Sequence, residues 1–295
     1  MGAERNGAPA ALITGASAGI GRATALELAR QGLHVLLACR DPARGRAVVD
    51  EIAALPRSAG ATLLVAELSS LGDVCRLAER VREEGRALRV LINNAATWSK
   101  PRLTTAEGFE RTLAVNYLAP FVLTHQLLPL LRRHAPSRVV NVTSNVVRQF
   151  ARLQLDDLHA ERSYSQLGAY RQSKLALVLF TRELADREAP IDLTVNCLHP
   201  GDVLTNMTAR GPLIDLIRPF LPRVEAEAAA RACTRLALSP ELSEISGAYF
   251  EKGRVVSLGK RAVDPATSRA LWSTTLTLVR PYLPDDAHLP PQVFS

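Results

Sequence analysis

An open, doubly wound α/β sheet is the fold class this sequence predicts, with about seven parallel strands and helices on both faces. Three observations carry it. Short apolar β-type runs alternate with longer helical patterns along most of the chain. Several of those runs are apolar throughout, as strands covered on both faces of a parallel sheet must be. A glycine-rich turn, TGASAGIG at 14–21, stands between the first strand-like run and the first helical pattern.

AALIT (10–14) reads as the first strand. RATALELARQG (22–32) follows, its Ala and Leu positions forming one apolar stripe that Gly32 ends as a C′ residue. LHVLLAC (33–39), ATLLVA (61–66) and RVLIN (89–93) supply the next three strands. RVVNVT (138–143), DLTVNCL (192–198) and AYF (248–250) supply the last three. Strand–helix alternation of this kind folds through right-handed crossovers. Two regions break the rhythm: an apolar, Pro-interrupted insertion at 206–224, and a Pro-rich tail at 281–295. The whole of 1–295 is read as one domain, without a solenoid-type repeat.

With 295 residues, 47% of them hydrophobic, the chain can bury one large core. No run approaches 18 consecutive apolar residues, so no membrane span is expected. The start, MGAERNGAPA, lacks the apolar stretch of a secretory signal, and a cytoplasmic location is expected. Cys39, Cys75, Cys197 and Cys233 stand far apart with no C-x-x-C, which points to reduced, structural cysteines and no metal site. The net charge of +7 raises the question of nucleic acid. The arginines, however, are spread along the chain and aromatics make up only 5%, so solvated helix faces and an anionic cofactor account for the charge.

Three stretches carry chemistry. In TGASAGIG, Gly15, Gly19 and Gly21 leave room for main chain to approach a pyrophosphate at a helix N-terminus. At the end of the second strand, where an acid would hold a free ribose 2′-hydroxyl, the chain has neutral Cys39 and then Arg40. A guanidinium matches a 2′-phosphate, which favours NADP over NAD. Asp41 reads as the cap of the next helix. In AYRQSKLAL (169–177), Tyr170 and Lys174 lie one helical turn apart on the same face. A free tyrosine has a pKa near 10. Moving it to ~7 takes about 4 kcal/mol of phenolate stabilisation, which a neighbouring lysine and a positive nicotinamide can supply together.

With NNAA (93–96), Asn116, TS (143–144), YRQSK (170–174) and HPGDVLT (199–205) following the glycine turn in order, the sequence resembles the short-chain dehydrogenase/reductase family. The match spans roughly 8–280. The ACRD stretch, the long spacing from Ser144 to Tyr170 and SGAYF…ALW (246–272) resemble its retinol-dehydrogenase-like branch. The resemblance implies a Rossmann-type, NADP(H)-dependent oxidoreductase acting on a lipophilic carbonyl or alcohol, with no membrane span carried over. By resemblance, Tyr170 is the general acid/base, Lys174 binds the nicotinamide ribose and lowers the tyrosine pKa, and Ser144 holds the substrate oxygen. Asn116 anchors a water of the proton relay. Asn94 and Ala95 lie along the adenosine, and Pro200, Gly201, Val203 and Thr205 against the nicotinamide. Ser17, Ile20, Glu67, Leu68 and Ala96 complete the cofactor contacts. Glu67 stands where an Asp usually contacts adenine, and Ala119 where Gly is common.

A catalytically inactive NADP-binding sensor on the same fold is the alternative function, although Ser144, Tyr170 and Lys174 all stand. In the 206–224 insertion, Leu213, Ile214, Leu216, Ile217, Phe220 and Leu221 suggest a lid that excludes water and lines a lipophilic pocket. Helices beside the later strands offer a possible homo-oligomer contact. Trp98, just after NNAA, reads either as a wall of the substrate site or as cover for its loop.

Overall fold

The fold comes from a computed structural model that describes residues 7–148, 153–189, 192–201, 226–259 and 263–284. Its strands are β1 (Ala10–Thr14), β2 (His34–Cys39), β3 (Ala61–Val65), β4 (Leu88–Asn93), β5 (Ser137–Val142), β6 (Leu193–His199), β7 (Tyr249–Glu251) and β8 (Arg254–Val255). They form one sheet in the order β3-β2-β1-β4-β5-β6-β7-β8, parallel up to β7. All seven expected strands are present, with ends within one residue of the expected positions. β8 was not foreseen. It is two residues long and returns antiparallel through Lys252 (φ 51°) and Gly253 (φ 74°), the positive-φ pair that a tight hairpin requires.

Apolar-throughout strands occur because both faces are covered. Along β1, Leu12 joins one core cluster and Ile13 the other, as the period of two demands. Helices α1 (Gly19–Arg30), α2 (Pro42–Ala53) and α6 (Ala226–Leu238) supply one face. On the other lie α3 (Leu71–Glu83), α4 (Arg111–Arg133), α5 (Gln166–Glu188) and α7 (Pro265–Val279). Helix α1 begins at Gly19, so the glycine turn leads directly into its first turn, and Gly32 (φ 84°) follows its end as expected.

By length and composition α4 is apolar enough to cross a membrane, but 83% of its apolar window is buried inside the protein. It is the core helix of the second layer. It is not a uniform α-helix: Ala114–Leu118 form a π-turn before the α-helix resumes at Ala119. Outside it, α7 seats Trp272 among Phe121, His125 and Phe180, with the Arg187 guanidinium 4.4 Å from the indole centre. This covers part of the helix layer beside the later strands. The 206–224 insertion and tail residues 285–295 lie outside the described residues.

Sequence order reverses on either side of β1 and β4, so their carboxyl ends open a crevice, the position at which ligands bind in doubly wound sheets.

Candidate active site

The crevice is a cleft of about 680 Å³, within the range of small-molecule sites. Its near wall is main chain. Thr14 Oγ1 accepts from the amides of Asn94 (3.0 Å) and Ala95 (3.1 Å), and Asn94 Nδ2 donates to the Thr14 carbonyl (2.8 Å). The β1 and β4 ends are thereby tied together. Gly15 has φ 69°, and a Cβ there would meet Ala95 Cα at 2.9 Å. A Cβ at Gly21 would run into the Gly15 carbonyl and lie 2.6 Å from Asn94 Nδ2. The glycines thus allow three segments to close on one another.

Helix α1 starts at this wall, and its N-cap, Ala18, has no side chain to satisfy the first amides. By contrast α2, α3, α4, α5 and α7 are capped by Asp41, Ser70, Glu110, Ser165 and Asp264. An uncapped helix start with no acid in its first turn, opening on a cleft, fits a dinucleotide pyrophosphate.

At the β2 end of the cleft, Cys39 is buried and neutral, and burial raises its thiol pKa. Arg40 beside it is 69% exposed at the side chain, with Nη1 3.6 Å from Glu67 Oε2. The other Glu67 oxygen accepts from Ser69 N (3.0 Å) and Oγ (2.9 Å), so this carboxylate is already engaged by its own loop. Asp41 caps α2, accepting from Ala43 N at 3.0 Å and Arg44 N at 3.1 Å, as expected.

The other end, beside β5 and α5, is built from side chains. Lys174 is buried, and its Nζ donates to the Val142 carbonyl at 2.9 Å and stands 5.8 Å from the Tyr170 ring centre. Burial alone pushes its pKa down to about 7. Burial also raises the Tyr170 pKa, against a hydrogen bond with Ser144 that lowers it. In the cofactor-free protein the lysine therefore does not by itself favour the phenolate of Tyr170, because desolvation opposes the charged form of both groups.

Asn116 has its side chain turned to the loop after β4. It is fully buried within the π-turn and does not line the cleft. Its Oδ1 accepts from Thr97 N (2.7 Å), while Nδ2 donates to Thr97 O (2.9 Å) and Ser173 Oγ (3.0 Å). Both amide donors are spent, so the side chain clamps the loop after β4 and has no N–H left for a water.

Gly15, Ser17, Gly19, Ile20, Gly21, Arg40, Glu67, Leu68, Asn94, Ala95, Ala96, Ser144, Tyr170, Lys174, Pro200 and Gly201 all line the cleft. Val203 and Thr205 lie outside the described residues. Thr97, Arg111 and Val115 also line it and were not singled out, and so does Thr143 of the TS pair. Arg111 and Val115 are four apart and so share one helical face, but nothing local in the sequence says that this face meets the cleft.

Over residues 9–212 the chain matches the short chain dehydrogenase family. Human retinol dehydrogenase 14 is 38% identical over 287 residues, covering 91% of this chain and 85% of the relative. A blue fluorescent protein from a metagenomic library, solved with NADPH, superposes with a TM-score of 0.68 at 26% identity over 83% of this chain and 96% of its own. A short chain dehydrogenase from Burkholderia cenocepacia, solved with NADP, gives 0.65 at 29% identity over 84% and 97%. The chain belongs to the short chain dehydrogenase family, resembles its retinol dehydrogenases, and is an oxidoreductase of the alcohol/carbonyl type.

Proposed function

We propose that this short chain dehydrogenase moves hydride between NADP(H) and a lipophilic carbonyl or alcohol, with Tyr170 as general acid/base. The observation that carries the proposal is the meeting of Ser144, Tyr170 and Lys174 at one end of a cleft whose other end presents an uncapped helix start and Arg40. A nicotinamide dinucleotide bound there supplies the hydride, or accepts it in the oxidative direction.

The protein's own part is binding and proton transfer. The α1 amides take the pyrophosphate, and Arg40, beside a neutral Cys39, takes a 2′-phosphate by charge-assisted contact. Glu67 opposes that charge only partly, since Ser69 engages one of its oxygens. Ser144 donates to the substrate oxygen, and Tyr170 delivers the proton to it or removes it. Lys174 exchanges its contact with the Val142 carbonyl for the ribose hydroxyls, and its charge then favours the phenolate. Asn116 serves by holding the Thr97 loop.

The lipophilic substrate class is supported by the resemblance to retinol dehydrogenases. It is supported also by the Leu, Ile and Phe residues of 206–224, each buried CH₂ being worth ~0.8 kcal/mol. The test is consumption of NADPH and of NADH with retinaldehyde, a steroid ketone, and aliphatic and aromatic aldehydes. NADPH-linked reduction that strengthens with apolar size is expected. No consumption with either cofactor would overturn the reading.

A further inference from the structure

Trp98 lies in the middle of the loop that leaves β4, and that loop is fastened on both sides of it. Before it, Thr97 is held through both its amide and its carbonyl by the Asn116 side chain. After it, the Ser99 carbonyl accepts from the Tyr164 hydroxyl at 2.7 Å, and Arg102 Nε donates to the His159 carbonyl at 3.0 Å. Between these fixed points the indole is half-buried, its centre 5.7 Å from the Tyr170 ring at an interplanar angle of 60°. A tilted aromatic pair at this separation is mutually attractive, and a tryptophan is ordered at low entropic cost.

We propose that Trp98 is a specificity-determining wall of the substrate site, selecting carbonyl compounds whose carbonyl bears a flat, aromatic or conjugated substituent. The proposal rests on the carbonyl chemistry assigned to Tyr170. A substrate oxygen within reach of the Tyr170 hydroxyl brings the carbonyl substituents beside the ring that Trp98 packs against. A π-face there continues the Trp98–Tyr170 pair, whereas a saturated ring of equal size offers only contact area. Aromatic pairs gain roughly threefold to tenfold in binding beyond area burial.

The test compares kcat/KM for benzaldehyde and cyclohexanecarbaldehyde in the wild type, Trp98→Leu and Trp98→Phe, so that intrinsic reactivity cancels between variants. Trp98→Leu is expected to lower the aromatic-to-saturated ratio roughly threefold to tenfold, mainly through KM, and Trp98→Phe to preserve most of it. A second readout needs no turnover. Of the two tryptophans, Trp272 is in the core, so benzaldehyde added with NADP+ should quench emission in the wild type and not in Trp98→Phe. An unchanged ratio in Trp98→Leu, or a quench that persists in Trp98→Phe, would overturn the wall while leaving the oxidoreductase reading intact. Wild-type protein that reduces neither aldehyde nor any other carbonyl would overturn both.

Discussion

The two ends of the cleft are built differently. Around β1, β2 and α1 the site is mainly main chain: glycines that permit close approach, an uncapped helix start, and one exposed arginine. Around β5 and α5 it consists of side chains held by partners distant in sequence: Lys174 on the Val142 carbonyl and Tyr170 against Trp98. A main-chain cradle contributes affinity and tolerates no Cβ. A side-chain constellation contributes chemistry, and here burial lowers the Lys174 pKa and raises that of Tyr170. Damage to the first end should therefore appear in cofactor affinity, and damage to the second in turnover.

The sharpest break comes from Tyr170→Phe. Losing a positioned acid/base should cut turnover at least ~10²-fold while NADPH affinity stays within a few-fold. Turnover near that of the wild type would remove the division between the two ends. Arg40→Ala is the mirror experiment. Loss of a charge-assisted contact worth about 1.5–3 kcal/mol should weaken NADPH roughly tenfold to a hundredfold, leaving NADH affinity and saturated kcat nearly unchanged. Equal weakening of both cofactors, read by titration calorimetry, would assign Arg40 a merely structural role.

Lys174 tests the second end through stability. Its pKa is about 7 in the folded, cofactor-free protein and near the ordinary lysine value of ~10.4 when unfolded. Between those values the unfolded chain binds more protons, so this group makes stability rise with pH across the window and withdraws that gain as pH falls to about 7. Lys174→Met should flatten the rise in Tm and stabilise the cofactor-free protein at neutral pH by about 1 kcal/mol, at the expense of turnover. Parallel Tm-versus-pH curves for variant and wild type would contradict it.

The smallest effect is expected at Tyr117, the other buried tyrosine of this region. Its hydroxyl pairs with Thr275 of α7 at 2.7 Å, and burial raises its pKa far more decisively than the hydrogen bond lowers it. Unlike Tyr170 it faces core, not cleft. Tyr117→Phe should cost about 1 kcal/mol in denaturant unfolding and leave kcat within about twofold. A large fall in kcat would mean that the π-turn carrying Asn116 depends on its link to α7.

The strands were legible because burial on both faces leaves an apolar run without polar interruption, and the glycine turn because its residues are contiguous. Tyr170 and Lys174 were legible because helical spacing is local. β8 was too short to produce a pattern, and its Lys252-Gly253 turn is a weak signal. The π-turn left no local mark, since a one-residue change in the hydrogen-bond ladder is compatible with the same apolar sequence. Arg111 and Val115 required knowing which face of α4 meets the cleft.

The sequence by itself determined the strands and the helices between them, the glycine turn, and the placing of Tyr170 and Lys174 one helical turn apart, all of which follow from periodicity and contiguous motifs. Tertiary structure alone decided that Asn116 clamps a loop with its amide donors spent, that Trp98 lies on Tyr170, and that α7 covers the α4–α5 layer. It also decided that burial pushes the tyrosine and lysine pKa values in opposite directions, toward neutrality of both. These properties depend on contacts between residues tens to hundreds of positions apart and on the water those contacts exclude, and no local pattern encodes either.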